Sequence, residues 1–156
     1  MVKMIVMDVD GTLTDGKIYM GENGELMKAF NCHDAVGIRR LSSKNIKSVI
    51  MTGRNSKIVS NRAKEMNVDY VFQGIDDKLK KIREISADLN IKLSDIMFVG
   101  DDINDLECLK ACGYSCCPKD AVRAVKSICN FTSNYDGGCG VLREIVDLIF
   151  DGFFDK

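Results

Sequence analysis

The chain has 156 residues, with 22 Lys and Arg against 23 Asp and Glu, so its formal net charge is −1 at pH 7. This balance lacks the excess of positive charge typical of proteins that bind nucleic acids or anionic membranes, so we expect neither partner. The length fits one domain, residues 1–156, that buries about 70% of its unfolded surface. No stretch is long enough to span a membrane, and Asp8 and Asp10 interrupt the early apolar run. We therefore expect no cleaved leader and a cytoplasmic location.

The chain also contains seven cysteines. Their odd number, in a chain with this cytoplasmic pattern, favours reduced thiols. Zinc sites typically use two pairs of closely spaced thiolates, and that spacing is missing, so we expect no zinc site. We interpret Cys116 and Cys117 as small apolar side chains within a short strand.

The first predicted element is an apolar run at residues 4–7 that leads directly into two carboxylates, Asp8 and Asp10. Continuous hydrophobicity is typical of a central parallel strand, and open α/β sheets bind ligands at the carboxyl ends of such strands. Gly11 allows a sharp turn, and the Thr12 hydroxyl could lie beside a phosphate. This Asp pair suits a nucleophile that also binds a metal, next to a general acid and base. An ordinary strand end with an Asp-Gly turn is the alternative.

Residues 17–30 form a predicted β-hairpin flap around Asn23-Gly24, a strong hairpin signal. An isolated hairpin is only marginally stable, so its apolar side chains should pack on another surface. Those side chains are Ile18, Tyr19, Met20, Leu26, Met27 and Phe30. They could pack on the chain's own sheet or form a subunit interface. After the flap, Asp34 is expected to cap a helix, with His33 at the surface.

A second apolar run, residues 46–51, ends in Thr52, Gly53 and Arg54. A hydroxyl and free backbone N–H groups before a helix form a natural phosphate cradle, although an ordinary strand–turn–helix would look the same. The planar fork of Arg54 is suited to a substrate carboxylate or a sugar hydroxyl. A salt bridge along the helix is the alternative for this side chain.

Lys78 lies in the first turn of a helix that Asp77 is predicted to cap. A lysine is unfavourable at this end of the helix dipole. That misfit indicates a function such as neutralising phosphate charge, whereas a solvated lysine is the ordinary alternative.

A third apolar run, residues 96–99, is followed by Gly100 and then by Asp101, Asp102 and Asp105. Carboxylates gathered at one rim suit Mg²⁺, which prefers one or two carboxylates, several waters and a substrate phosphate. Like charges this close would repel one another without a cation.

Strands and helices alternate along the chain. We predict strands near 4–8, 46–51, 69–72, 96–100 and 114–117, and helices near 34–44, 55–66, 77–90, 102–112, 119–127 and 140–150. This alternation predicts an α/β fold, a Rossmann-like parallel sheet with helices on both faces. The segments between the motifs are too short to hold a cap domain.

The order of these motifs resembles the haloacid dehalogenase superfamily of phosphotransferases. The motifs are Asp-x-Asp-Gly-Thr at 8–12, Thr-Gly-Arg at 52–54, Asp-Lys at 77–78 and Gly-Asp-Asp-x-x-Asp at 100–105. The resemblance implies that Asp8 forms an aspartyl-phosphate, that Asp10 is the general acid and base, and that Thr52 and Lys78 bind the phosphoryl group. Gly53 and Arg54 would complete the substrate site.

The same resemblance implies a Mg²⁺ ion held by the Asp8 carboxylate, the Asp10 backbone carbonyl and Asp101. Asp105 would orient the metal shell or Lys78, and the role of Asp102 stays open. With an Asp at position 10, the first motif resembles that of the phosphatases and mutases of the superfamily. A mutase needs a cap to exclude water from its intermediate, so the missing cap favours hydrolysis.

Within the superfamily, three further segments resemble the cap-less phosphatases of 3-deoxy-octulosonate 8-phosphate and nonulosonate 9-phosphates. They are Asp15-Gly16-x-Ile18-Tyr19, Gln73-Gly74-x-x-Asp77-Lys78 and residues 137–144. This resemblance implies a homotetramer in which a neighbour's hairpin and tail close each site. Thr-Gly-Arg with Arg54 resembles the octulosonate branch. Leu106-Glu107, without the Leu-Pro frequent in that branch, resembles the nonulosonate branch as much, so the substrate stays open between the two.

The tail carries two aromatic residues, Phe153 and Phe154, beyond Gly152, which should stop the last helix. We expect these aromatics to lie out of reach of their own core and to contact another subunit. A frayed tail is the ordinary alternative for a terminus. On the basis of a subunit contact, removing residues 151–156 should weaken substrate binding or slow turnover without dissociating the assembly.

The sequence therefore predicts a Mg²⁺-dependent phosphatase acting on a phosphorylated 3-deoxy-sugar acid in surface lipopolysaccharide synthesis. One alternative is a broad sugar-phosphate or protein phosphatase, which an uncapped monomer would suit. Another is a non-catalytic partner module of a nucleotidyl-sugar synthetase, although the intact motif residues argue against it.

Overall fold

The computed structural model describes residues 1–155. Its main sheet contains six parallel strands in the order β5-β4-β1-β6-β7-β8. These are β1 (Met4–Met7), β4 (Lys47–Met51), β5 (Tyr70–Phe72), β6 (Ile96–Val99), β7 (Tyr114–Cys117) and β8 (Phe131–Thr132). A separate antiparallel hairpin pairs β2 (Tyr19–Gly21) with β3 (Gly24–Met27).

Within residues 1–155, five α-helices connect the strands and a sixth follows the last strand. They are α1 (Cys32–Arg40), α2 (Lys57–Glu65), α3 (Lys78–Asp88), α4 (Leu106–Ala111), α5 (Arg123–Lys126) and α6 (Val141–Phe150). The predicted α/β fold without a cap domain is confirmed. The two-residue strand β8 was not predicted, because so short a segment has no recognisable alternation. Within residues 1–155, none of the helices has the length and hydrophobicity needed to cross a bilayer.

Side chains of each central strand alternate between two core layers. In β1, Ile5 and Met7 join the layer that includes Ile38 of α1 and Ile145 of α6. Met4 and Val6 point to the opposite face, in the layer built with α3, α4 and α5. Because both faces of β1 are covered, the strand is uniformly apolar, and the first polar side chain appears only where it ends.

The register of the central strands places their carboxyl ends at one edge. Met7 pairs with Ile50 of β4 on one side and with Val99 of β6 on the other. The strand order reverses at β1, and ligands of open α/β sheets bind at such a switch point. The backbone N–H of Asp8 continues the ladder by donating to the Val99 carbonyl at 3.0 Å. The residues after β1, β4 and β6 therefore meet.

Asp34 does not cap its own helix, so that prediction was wrong. The N-cap of α1 is Asn31, whose side chain accepts a hydrogen bond from the His33 backbone N–H at 2.8 Å. Asp34 lies two residues inside α1, is buried, and accepts from the backbone N–H of Arg143 in the first turn of α6 at 2.9 Å. It therefore ties α1 to the start of a distant helix. His33 is exposed, as expected.

The expectation that the tail aromatics lie out of reach of their own core was wrong, because both rings lie edge-on against Phe131. Gly152 has φ +78° and ends α6, as predicted. Phe154 then folds back and is only 6% exposed, with its ring edge against Tyr114 and Phe131. Phe153 stays 53% exposed. Removing residues 151–156 would therefore also remove part of the core, because Phe154 reaches its own sheet.

The predicted hairpin forms, but it does not join the main sheet. Four of its apolar side chains are largely exposed: Tyr19, Met20, Leu26 and Met27. Its two-residue loop is Glu22-Asn23, and Gly24 opens the second strand with φ +110°. The chain's own core therefore does not cover this apolar surface.

Candidate active site

A cleft of about 240 Å³ opens at the carboxyl ends of β1, β4 and β6. Its lining consists of Asp8, Asp10, Thr52, Gly53, Arg54, Asp101, Asp102 and Asn104. Three separate motifs therefore meet in one place, as the parallel register requires. Of these residues, Asn104 lies within the Gly-Asp-Asp-x-x-Asp motif at 100–105, but no role was predicted for it.

Lys78 links the first and last motifs. It is the first residue of α3, whose N-cap Asp77 accepts from the Lys80 backbone N–H at 2.8 Å, as predicted. The Lys78 Nζ donates to Asp8 Oδ1 and to Asp105 Oδ1, both at 2.7 Å. All three side chains are buried. The lysine is thus a buried cation directed at the end of β1, and the alternative of a solvated lysine is excluded.

Burial and charge act in opposite directions on this pair. Burial raises the pKa of Asp8 to about 6, while the Lys78 charge opposes that rise. Burial alone would lower the pKa of Lys78, but Asp8 and Asp105 outweigh it, and the net pKa lies above its ordinary value. At neutral pH the nucleophile candidate is therefore mostly ionised and the lysine is charged.

Asp101 completes a cluster of carboxylates. Oxygens of Asp8, Asp101 and Asp105 lie within 4.8 Å of one another. Burial, followed by the charges of Asp8 and Asp105, raises the pKa of Asp101 to about 8. The Thr12 hydroxyl donates to Asp101 Oδ1 at 3.2 Å, so it supports this carboxylate instead of facing a phosphate. Hard oxygen ligands with this unfavourable excess of negative charge fit a divalent cation such as Mg²⁺.

Two glycines allow the carboxylates to approach the backbone. A Cβ at Gly11 would lie 2.1 Å from Asp101 Oδ2, and one at Gly100 would lie 2.4 Å from Asp105 Oδ2. Gly11 also has φ +90°, a conformation that favours glycine. Any side chain at these positions would displace the carboxylates, which explains why glycines stand beside the acidic residues.

Asp105 and Asp102 have distinct structural roles. Besides binding Lys78, Asp105 accepts from the Asp101 backbone N–H at 3.1 Å, so both of its oxygens are occupied. Asp102 caps the turn Ile103–Asp105 by accepting from the Ile103 backbone N–H at 2.7 Å. Asp102 lines the cleft but lies outside the carboxylate cluster.

The loop after β4 forms the opposite wall. Thr52 is buried and held by its backbone N–H, which donates to the Phe72 carbonyl at 3.0 Å. Its hydroxyl accepts from the Arg54 backbone N–H at 3.5 Å. The Arg54 side chain is half exposed, and its Nε lies 4.0 Å from Asp10 Oδ2. Arg54 is therefore directed into the cleft, and the alternative of a salt bridge along α2 is not what the structure shows.

Sequence reasoning missed Lys28. This residue follows β3, its side chain is fully buried, and its Nζ lies 2.5 Å from Asp10 Oδ1 and 3.4 Å from Glu25 Oε2. The only local sign of a role for Lys28 was its position directly after the apolar pair Leu26-Met27. Lysines at such positions are commonly solvated, so the sequence did not distinguish this one. The structure thus brings a third basic side chain to the acidic motif at the end of β1.

The cysteines lie away from this cleft. All seven are free thiols. Cys116 and Cys117 are both buried in β7, and burial raises the pKa of Cys116, as expected for a small apolar side chain. Cys117 departs from that expectation, because contacts with Cys129 and Thr132 lower the pKa of its thiol to about 7. Burial raises the pKa of Cys108 and of Cys112 to about 12, so both are neutral core residues.

Comparison with known proteins identifies the family. A family model described as haloacid dehalogenase-like hydrolase matches residues 70–145. The 3-deoxy-D-manno-octulosonate 8-phosphate phosphatase of Yersinia pestis is 36% identical over 148 residues, covering 95% of this chain and 79% of the relative. This chain belongs to that family of haloacid dehalogenase-like phosphatases.

Solved structures of the phosphatase family match along nearly the whole chain. The Moraxella catarrhalis enzyme, in complex with magnesium ion, phosphate ion and KDO, is 34% identical with a TM-score of 0.92, covering 99% of this chain and 92% of that one. The cobalt-bound enzyme of Haemophilus influenzae is 31% identical with a TM-score of 0.93. The match covers 96% of this chain and 88% of that one. The predicted membership of the haloacid dehalogenase superfamily and of its cap-less phosphatases is confirmed.

Proposed function

We propose that this chain is a Mg²⁺-dependent phosphatase that hydrolyses 3-deoxy-D-manno-octulosonate 8-phosphate through an aspartyl-phosphate on Asp8. The observation that carries the proposal is the buried contact between Asp8 and Lys78, which places a nucleophile and a cation together at the cleft. The names of the relatives support the substrate, and the Moraxella catarrhalis structure with magnesium, phosphate and KDO supports the cofactor. The product would serve surface lipopolysaccharide synthesis.

In the first step, an Asp8 carboxylate oxygen attacks phosphorus, and the bond between phosphorus and the sugar oxygen breaks. Asp10 gives a proton to the departing oxygen, which makes the sugar a better leaving group. Thr52, Gly53 and Lys78 bind the phosphoryl oxygens, where negative charge must be stabilised during transfer.

In the second step, water attacks phosphorus and the bond to Asp8 breaks. Asp10, now a carboxylate, accepts the proton of that water and returns to its acid form. Inorganic phosphate leaves, and the Asp8 carboxylate is regenerated. One side chain can serve both steps because the leaving oxygen and the attacking water occupy the same side of phosphorus in turn.

We assign Mg²⁺ to the Asp8 and Asp101 carboxylates and the Asp10 backbone carbonyl. Both oxygens of Asp105 are already hydrogen-bonded, so its assigned role is to orient Lys78 and the Asp101 backbone. When bound, Mg²⁺ supplies positive charge to the phosphoryl oxygens and keeps the clustered carboxylates ionised.

We assign Arg54 to the recognition of the sugar acid. It is half exposed at the cleft and next to the phosphate-binding loop, so it can reach the leaving group. A guanidinium binds a carboxylate with two parallel hydrogen bonds, which a neutral hexose cannot offer. Arg54 would thereby distinguish sugar acids from neutral sugars.

We further propose that four copies assemble through the hairpin, so that a neighbour closes each cleft. The support is the apolar surface of the hairpin, where Met20 is 60% exposed and Leu26 is 67% exposed. Closed symmetry would bury this surface and exclude water from the sites. We place the protein in the cytoplasm, a location supported by its seven free thiols.

The decisive experiment measures phosphate release by the purified chain, with Mg²⁺ and with a chelator. The substrates are 3-deoxy-octulosonate 8-phosphate, a nonulosonate 9-phosphate, a hexose 6-phosphate, a phosphopeptide and p-nitrophenyl phosphate. We expect the highest kcat/KM for the octulosonate ester, with activity lost on chelation. An equal or higher value for hexose phosphate or phosphopeptide would indicate a broad phosphatase, and no turnover of any ester would indicate a non-catalytic module.

A further inference from the structure

Lys28 is the residue that connects the hairpin to the acidic motif. Its side chain is fully buried, and its Nζ lies 2.5 Å from Asp10 Oδ1 and 3.4 Å from Glu25 Oε2. A buried ammonium is unfavourable unless it is paired, and here it lies between two carboxylates. Removing either the lysine or Asp10 would leave the other charge without this partner.

The same contacts reach the loop between β4 and α2, which contains Thr52, a residue proposed to bind the phosphoryl group. Glu25 accepts a hydrogen bond from the Ser56 hydroxyl, and Ser56 is the N-cap of α2. The Ser56 backbone N–H donates to Gln73 Oε1 at 2.7 Å. Asp10, the hairpin and the start of α2 are thus joined by one continuous set of polar contacts. The orientation of the Asp10 side chain therefore depends on how the hairpin is seated.

The chemistry of the ammonium group distinguishes the two oxygens of Asp10. A lysine ammonium has only donors, so the oxygen it binds must act as an acceptor. Because Lys28 occupies Oδ1, the proton of the acid form of Asp10 must reside on Oδ2. That second oxygen lies 4.0 Å from Arg54 Nε, and Asp10 and Arg54 both line the cleft.

We propose that Lys28 is a positioning residue that holds Asp10 Oδ1 and so presents Oδ2 as the oxygen that gives and takes the proton. The proposal rests on the proposed function only in that Asp10 serves as the general acid and base. In the first step the Oδ2 proton passes to the sugar oxygen as its bond to phosphorus breaks. In the second step Oδ2 accepts a proton from water as the bond between phosphorus and Asp8 breaks.

The test compares Lys28→Met with wild type on an alkyl and an aryl ester. The value measured is kcat/KM, which reports phosphoryl transfer to Asp8 and not the later hydrolysis. We expect a loss of about tenfold or more for the sugar phosphate, whose leaving oxygen needs a proton. For p-nitrophenyl phosphate, whose leaving group needs none, we expect a change of less than about threefold.

A double-mutant cycle separates positioning from a general loss of structure. If Lys28 acts through Asp10, the Lys28→Met, Asp10→Asn double variant should be no slower on the sugar phosphate than Asp10→Asn alone. The proposal would be overturned if the losses of the two single variants multiply in the double variant. It would also be overturned if Lys28→Met loses equally on the sugar phosphate and on p-nitrophenyl phosphate. Lys28→Arg, which keeps a charged donor, should recover most of the activity. Lys110→Met, on an exposed lysine of α4 outside the hairpin and the cleft lining, is the matched control and should behave as wild type.

Two further comparisons apply if Lys28→Met does not fold or if wild type acts on a different ester. If Lys28→Met does not fold, as judged by circular dichroism, Lys28→Gln replaces it, because its amide can still donate to Oδ1 without the charge. The preference of Lys28→Gln for the aryl over the alkyl ester should then lie between the preferences of Lys28→Arg and Asp10→Asn. A preference equal to that of wild type would contradict the positioning role of Lys28. If wild type hydrolyses a hexose phosphate but not the octulosonate ester, the substrate proposal fails, and the Lys28 comparison is made on the hexose phosphate.

Discussion

The Nζ of Lys78 lies 2.7 Å from Oδ1 of Asp8, although 70 positions separate the two residues in the chain. The contact joins the first turn of α3 to the carboxyl end of β1. Because both side chains are buried, the cation holds the carboxylate in a single orientation and keeps it largely ionised at neutral pH. A buried carboxylate fixed in this way is suited to in-line attack on a phosphorus bound at the cleft.

The first prediction concerns Asp8 as the nucleophile. We expect Asp8→Asn to fold but to lose roughly 10⁴-fold or more in kcat, because a neutral amide neither attacks phosphorus nor binds Mg²⁺ well. Circular dichroism and phosphate release measure the two effects. Asp88→Asn, at an exposed site on α3, is the control and should leave activity unchanged. A folded Asp8→Asn variant with wild-type turnover would remove Asp8 from the mechanism.

The second prediction concerns Asp10 as the general acid. Asp10→Asn should lower kcat/KM for sugar phosphates by roughly 10²–10⁴-fold, because their leaving oxygen must be protonated. Aryl phosphates with acidic leaving groups should lose far less. The measurement is a series of esters ordered by the pKa of the leaving alcohol. A uniform loss across the series would contradict the role of acid.

The third prediction concerns Arg54. Arg54→Ala should lower kcat/KM for phosphorylated sugar acids by about tenfold to a hundredfold, the range expected for hydrogen bonds to a charged group. Neutral hexose phosphates should be little affected. Arg54→Lys tests the geometry, because a lysine keeps the charge but not the bidentate fork. If Arg54→Ala affects both substrate classes equally, this side chain does not select for the acid.

The fourth prediction concerns the carboxylate cluster. Without a divalent ion, Asp101→Asn should raise the melting temperature at neutral pH. The wild-type carboxyl group must take up a proton on folding, because burial, Asp8 and Asp105 disfavour its charged form, whereas an amide needs no proton. The raised pKa, about 8, gives the sign: the native state prefers the proton, so metal-free stability should fall as pH rises toward 8. Mg²⁺ should raise the melting temperature of wild type but not of Asp101→Asn.

Asp102→Asn is the matched control for that measurement, since Asp102 lies next to Asp101 but outside the cluster. It should weaken the cap of the turn at Ile103 and keep the response to Mg²⁺. Differential scanning fluorimetry with and without Mg²⁺ distinguishes the two variants. A lost Mg²⁺ response in Asp102→Asn would transfer the role of ligand to Asp102.

The fifth prediction concerns assembly. Leu26→Lys and Met20→Lys should dissociate the proposed tetramer and slow turnover, because each places a charge in its apolar interface. Both positions are exposed in the single chain, so the fold itself should lose no more than about 0.5 kcal/mol. Sedimentation velocity measures the change, and Val71→Lys, on the edge strand β5, is the control. A wild-type chain that sediments as a fully active monomer would refute the interface.

The main sheet and most of the cleft could be predicted because polar motifs directly follow buried apolar strands. Parallel strands align their carboxyl ends, so Asp8, Thr52 and Asp101 were bound to be neighbours once β1, β4 and β6 were recognised. The helix capped by Asp77 was equally readable, since capping depends on residues three positions apart. Such features follow from local periodicity, which the sequence displays directly.

Contacts between distant segments were decided only by the tertiary structure. Asp34 sits at a position that looks like a local cap, yet it binds the start of α6, 109 residues away. Phe154 lies beyond the end of α6 but packs on β7 and β8. Lys28 resembles any solvated lysine until the hairpin folds over Asp10. Local patterns report which face of an element is apolar, whereas the pairing of a charge or ring across the chain depends on how the elements pack.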